Sequence, residues 1–93
     1  MKKSDYEAIA NFYGNESQEW TQFRKCQAWE SRDIYNSAYD IYFSLVKSYN
    51  TIVALAIHSE KKFVILGKWS RTTSKQCTQI HNSQYADYEI IQF

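Results

Sequence analysis

Two short runs carry the densest apolar character in the chain: Ile52-Val53-Ala54-Leu55-Ala56-Ile57 and Val64-Ile65-Leu66. The first is apolar at every position, as expected of a central strand covered on both faces. The polar residues His58-Ser59-Glu60-Lys61 separate it from a second strand, Phe63 to Trp69. So short a link predicts an antiparallel hairpin, because a parallel crossover needs about a dozen residues or more. Upstream, Asp40 to Tyr49 alternates, with Ile41, Phe43 and Leu45 on one face and Tyr42, Ser44 and Val46 on the other. Gly67, inside the returning strand, suggests a bulge or a close backbone approach. The core is expected in this sheet.

Helical spacing flanks it. Ser4-Asp5-Tyr6-Glu7 reads as a capping box, and Tyr6, Ile9, Ala10 and Tyr13 recur on one helical face before Gly14. A helix is predicted over Asp5 to Tyr13. Asn15-Glu16-Ser17-Gln18 reads as a second cap, and Trp20, Phe23, Cys26 or Gln27, and Trp29 follow near helical spacing. That predicts a second helix from Glu16 to Glu30, although Thr21 and the aromatics also suit a strand. Ser31 to Ser37 is polar and reads as a connection or a ragged edge. Thr73-Ser74-Lys75-Gln76 is a third capping box, opening a short helix to about Ile80 or His81. Tyr85 to Phe93 is expected to be a last strand or an extended tail. The predicted fold is α+β in one domain. An N-terminal helical hairpin (residues 1–30) packs on an antiparallel sheet of three or four strands, with a short helix after the central hairpin (residues 31–93).

Length and composition narrow this picture. Ninety-three residues make a single domain. Aromatics are 17% of the chain, and eight tyrosines cannot all be buried with satisfied hydroxyls. Some must reach the surface, where they either serve protein recognition or only rim the core. The formal charge of +1 is uneven: residues 1–40 hold five Lys/Arg against seven Asp/Glu, residues 41–93 six against three. The total argues against a wholesale acidic mimic of nucleic acid and requires no polyanion partner, while leaving room for a local patch. Cys26 and Cys77 stand in no metal-binding spacing. No signal-peptide pattern opens the chain, and no apolar segment approaches the roughly 20 residues of a membrane span. A soluble, cytoplasmic protein with reduced thiols is expected, with no membrane partner.

The strongest chemical pattern is Lys61, Lys62, Lys68, Arg71 and Lys75, with no acid between Lys61 and Lys75. Trp69 and several hydroxyls accompany these cations near a predicted helix N-terminus. Such a stretch suits phosphate or nucleic-acid contact, or is a solvated strand face followed by an ordinary helix cap. A thiol–imidazole pair from Cys26 or Cys77 with His58 or His81 is favoured by no spacing. Glu16, Glu19, Glu30, Asp33 and Asp40 read as surface charges rather than paired catalytic carboxylates. Two glycines cannot build a phosphate-binding loop. The expectation is a protein without catalysis, metal or cofactor.

Ser31-Arg32, Tyr35 and Ala38, then Ser48-Tyr49-Asn50-Thr51-Ile52-Val53-Ala54 and Gly67-Lys68-Trp69-Ser70-Arg71-Thr72-Thr73-Ser74-Lys75, resemble a small module. That module recurs in short, uncharacterised proteins of bacteriophages and related mobile elements, and the resemblance covers residues 31 to 81. Relatives often carry Phe-Tyr at Ile34-Tyr35 and His at Gln76. The motif also has a local physical reading. Asn50 and Thr51 can bond their own backbone at a strand kink, and Tyr49 and Trp69 can pack across strands. In size and character the chain resembles anti-CRISPR proteins. The resemblance implies a bacterial protein target, a CRISPR effector nuclease among the candidates, engaged through Trp20, Tyr35, Tyr42, Tyr49 and Trp69. The alternative is a nucleic-acid-binding accessory protein using the Lys61–Lys75 stretch. An unpaired edge strand would allow a homodimer as well as a monomer.

Overall fold

The computed structural model describes residues 1–16 and 18–93. Helix α1 spans Lys3–Gly14 and is followed by strands β1 (Trp20–Gln22), β2 (Ala28–Ser31), β3 (Ile34–Asn36), β4 (Ile41–Ser48), β5 (Thr51–Ile57) and β6 (Lys62–Ile65). Helix α2 (Arg71–Gln84) and strand β7 (Glu89–Gln92) complete the described elements. The seven strands form one sheet in the order β1-β2-β4-β5-β6-β7, with β3 also paired to β4. Every pairing is antiparallel except β6 with β7, which α2 connects as a parallel crossover.

Two helices sandwich this sheet. Tyr6, Ile9 and Ala10 of α1 pack on Ile41, Phe43, Leu45, Leu55, Ile57, Val64 and Leu66. On the opposite face, Cys77 and Ile80 of α2 pack on Val46, Val53, Ala54, Ala56, Phe63 and Ile65. The alternation expected in Asp40 to Tyr49 is therefore observed, and the continuous apolar run of β5 is explained by cover on both sides. Burying such side chains contributes roughly 1.5–3 kcal/mol each, which makes β4, β5 and β6 the stable centre.

The expected helical hairpin and small sheet are not found: among the described residues the α+β protein has seven strands and a single helix before them. Glu16 to Glu30 contains β1 and β2 instead of a helix, and Ser17 of its expected cap lies outside the described residues. The turn is closed by Phe23 N–H donating to Ala28 O at 2.8 Å and Gln22 Nε2 donating to Cys26 O at 2.7 Å. Arg24 takes a φ of 53° there. A helix would have satisfied these backbone groups internally but left the edge of β4 bare. As strands, the segment pairs that edge and sends Phe23 and Ala28 into the core under α2.

Ser31 to Ser37, read as a connection or a ragged edge, supplies the three-residue strand β3. β2 and β3 lie along the same edge of β4, but with a one-residue step between them, since Glu30 faces Val46 whereas Ile34 faces Phe43. The Ser31 hydroxyl fills the step by accepting Leu45 N–H at 2.8 Å. The step reverses which residues face α2: Ala28 and Glu30 in β2, but Tyr35 in β3. A second irregularity lies in β5, where Val53 is passed over between the pairs Val46–Ala54 and Lys47–Ile52.

Both helix starts precede the predicted caps. At α1, Lys2 N–H donates to Asp5 Oδ2 at 2.8 Å, so Asp5 rather than Glu7 reaches back. At α2, Ser70 Oγ accepts Thr73 N–H, and the helix runs on to Gln84. Gly67 lies just beyond β6 rather than inside a strand, and its carbonyl accepts Gln92 Nε2 at 2.9 Å.

Candidate functional site

The register places Tyr35 opposite Tyr42, and their rings meet at 4.8 Å between centroids with a 41° tilt. Both point to the α2 side of the sheet, beyond the area that helix covers. They remain 45% and 54% exposed, although they stand on two paired strands. Tyr35 donates its hydroxyl to Asp40 Oδ1 at 2.8 Å, and this hydrogen bond to a carboxylate raises the phenol's pKa. The turn between β3 and β4 adds exposed Tyr39, which donates to Asp5 Oδ1 at 3.1 Å. The Lys2 N–H and then the Tyr39 hydroxyl hold the Asp5 carboxyl below its ordinary value. One end of the molecule thus presents Tyr35, Tyr39 and Tyr42 together with Asp5, Asp33 and Asp40.

Behind the tyrosine pair lies a hydrogen-bonded network. Ser44 Oγ is 2.8 Å from His58 Nε2, and Asp33 Oδ1 is 3.2 Å from both atoms. Tyr88 contributes its hydroxyl to His58 Nδ1 at 2.9 Å. Ser44 can donate to Asp33, and the donor and acceptor roles at the two His58 nitrogens follow from its tautomer. Beside it Tyr85 donates to the buried Glu30 carboxylate at 2.7 Å. Burial, then that carboxylate, pushes the Tyr85 phenol far above its ordinary value.

Ser, His and Asp together invite comparison with a nucleophilic triad, but the geometry differs. A triad places the carboxylate on the imidazole nitrogen remote from the serine. Here Tyr88 occupies that nitrogen, and Asp33 shares the serine's side. Ser44 is only 2% exposed and its hydroxyl is already engaged. The network holds the Asp33 and Tyr88 side chains in place and offers no free nucleophile.

The thiols are no better disposed. Burial pushes the Cys77 thiol up to about 11, so it is protonated at neutral pH. Cys26 Sγ donates to Phe23 O at 3.0 Å. His81, one helical turn beyond Cys77, directs its ring nitrogens to Asn82 Oδ1 and the Tyr88 carbonyl, and makes no hydrogen bond to either sulfur among the described residues. Among the described residues no group of three or more His, Cys, Asp or Glu is placed to hold a metal ion.

The remaining aromatic candidates lie elsewhere. Tyr49 is seven residues along β4 and its turn from Tyr42, roughly 23 Å at strand rise. It occupies the tip of a two-residue hairpin with φ 55°, a conformation unfavourable for a bulky residue, and its N–H donates to Gln27 O. Trp20 is half-buried against the core with the Lys47 ammonium over its ring. Trp69 is also half-buried, and its indole donates to Val53 O at 3.1 Å. Leu66 N–H donates to the same carbonyl, so Trp69 fastens the irregular turn of backbone in β5.

The five basic residues fall into two groups at opposite ends of β6. Lys61 pairs with Asp87 and Lys62 with Glu60, each at 3.2 Å. Lys68, Arg71 and Lys75 are exposed around the start of α2, with no ion pair among the described residues. Asp33, Ser44, His58, Tyr85 and Tyr88 were not foreseen as a cluster. They come from four separate segments, and only the strand register gathers them.

A model of a family of unknown function matches residues 2–90. The chain belongs to DUF8033. No curated protein and no solved structure matches this DUF8033 chain. Among the described residues of this DUF8033 chain, no helix is long and apolar enough to cross a membrane.

Proposed function

We propose that this protein works by docking, not by bond-making: its tyrosine-rich end, with Asp33 and Asp40 beside the rings, seats on a basic surface of a bacterial protein. The carrying observation is the Tyr35–Tyr42 pair, half exposed on paired strands and flanked by Asp33 and Asp40. Tyrosine offers large amphipathic contact area at little conformational cost, because it has only two side-chain torsions. Carboxylates and ring faces beside it favour arginine and lysine on the partner, through charge-assisted hydrogen bonds and cation–π contact. Surfaces rich in those residues are the ones proteins use to hold nucleic acid. The resemblance to phage-borne modules points to a defence effector in the host cytoplasm, inhibited as anti-CRISPR proteins inhibit theirs by occupying an effector nuclease or its nucleic-acid channel.

The test is a cleavage assay with purified CRISPR effector nucleases titrated with this protein. Wild type should inhibit one of them, and Tyr35→Ala with Tyr42→Ala should weaken inhibition at least about tenfold, or about 1.4 kcal/mol. Thermal stability should change little, since both rings are half exposed. Full inhibition by a correctly folded double variant would exclude this surface. The second reading, nucleic-acid contact, is favoured by the unpaired trio Lys68, Arg71 and Lys75. It requires retention of nucleic acid on a filter at low salt, lost steeply as salt rises.

A further inference from the structure

We propose that the cleft between α1 and the β4–β5 hairpin, on the other face of the sheet and separate from the tyrosine end, is a binding site for a small oxyanion, a carboxylate or a phosphate. The cleft has a volume of about 440 Å³ and is lined by Asn11, Asn15, Trp20, Lys47, Asn50 and Thr51 among others. That size suits a metabolite rather than a macromolecule.

Lys47 carries the argument. Its backbone is fixed in the ladder between Trp29 and Ile52. Its ammonium lies 4.3 Å from the Trp20 ring centroid and 5.4 Å from that of Trp29. Indole faces hold a cation in position but leave its charge intact. No carboxylate lies within ion-pair distance among the described residues, whereas Lys61 and Lys62 each have one. The cleft lining contains no acid. A half-buried cation without a counter-ion is a standing electrostatic attraction for an anion.

The second observation is the set of uncommitted amides. Asn11, Asn15 and Asn50 line the cleft at solvent-exposed positions, and none of their side chains makes a hydrogen bond among the described residues, so each can exchange water for a ligand. Each offers two N–H donors to an oxyanion. The C-terminal end of α1, also in the wall, carries only a fractional negative charge against the full charge of the Lys47 ammonium. Its Tyr13 carbonyl already accepts Glu16 N–H and Gln18 Nε2. Gly14 shapes the wall: a Cβ there would sit 2.9 Å from Ile52 Cγ1, so glycine lets α1 close on β5.

Tryptophan fluorescence and amide NMR shifts should report the site directly, because Trp20 and Trp29 flank Lys47. The probes are inorganic phosphate, adenosine monophosphate and succinate, titrated into the full chain at low salt. At least one should saturate, with shifts confined to the residues around Asn11, Lys47 and Asn50. Saturation by phosphate and the nucleotide identifies a phosphate site, and saturation by succinate alone a carboxylate site. Lys47→Met keeps the stem on the indoles and should weaken binding at least about tenfold. Asn50→Asp keeps a turn-compatible residue, places a like charge in the cleft, and should abolish binding while the melting temperature stays unchanged. No saturable response to any probe overturns the proposal, as does equal affinity in folded Lys47→Met or Asn50→Asp.

Discussion

Trp69 and Tyr42, both aromatic candidates for partner contact on sequence grounds, have opposite structural roles. Trp69 is half-buried and donates to the carbonyl at the irregularity in β5, whereas Tyr42 is 54% exposed and its ring meets that of Tyr35. Trp69→Phe should therefore cost about 1 kcal/mol in chemical denaturation, the net worth of one hydrogen bond. Tyr42→Ala should stay within about 0.5 kcal/mol, as is usual for exposed positions. Reversed magnitudes would make Trp69 the dispensable one. Cys77 gives a pH signature. Its folded-state value lies above the ordinary 9.0, at about 11, because burial disfavours the thiolate. The neutral form is thus favoured on folding, and its contribution is intact below pH 9. It declines as pH rises from 9 towards 11, by about 2–3 kcal/mol in all at 1.36 kcal/mol per unit. Denaturation curves of wild type and Cys77→Ala should converge over that interval, and parallel curves would remove the thiol as the cause.

Among the elements, α1 was legible because its apolar positions keep helical spacing through two turns, and β4 and β5 because their faces are long enough to show alternation or continuous cover. The segment holding β1 and β2 was not. Three- and four-residue strands are shorter than the windows that separate the two periods, and Trp20, Phe23 and Gln27 happen to keep a helical interval. The step between β2 and β3 hid the tyrosine pair in the same way, since no single alternation runs through residues 28 to 36. Only β4 as a template decides which parity faces inward. The seat of α1 yields a test. Gly14→Ala normally stabilises a helix by up to about 1 kcal/mol. Here the new methyl meets the middle of the Ile52 side chain, where overpacking costs roughly 1–3 kcal/mol. Net destabilisation is expected, and the same substitution in an Ile52→Ala background should become stabilising. An unchanged sign in that background would show that α1 does not press on β5.

For the molecule as a whole, most of the sheet is assembled from neighbours in sequence, with hairpins linking β1 to β2, β3 to β4, β4 to β5 and β5 to β6. Strand β7 is the exception: its partner β6 lies on the far side of α2, and the pair is parallel. Closing that long connection costs chain entropy before any ladder bond compensates it. In time, then, β7 is expected to join last, after the hairpins and α2 are in place. Truncating its half-buried Ile91 to alanine should accelerate unfolding and leave the folding rate nearly constant, a φ-value near zero, whereas Leu55→Ala in β5 should slow folding. A protein built this way has a fastening whose release comes first whenever the chain begins to open.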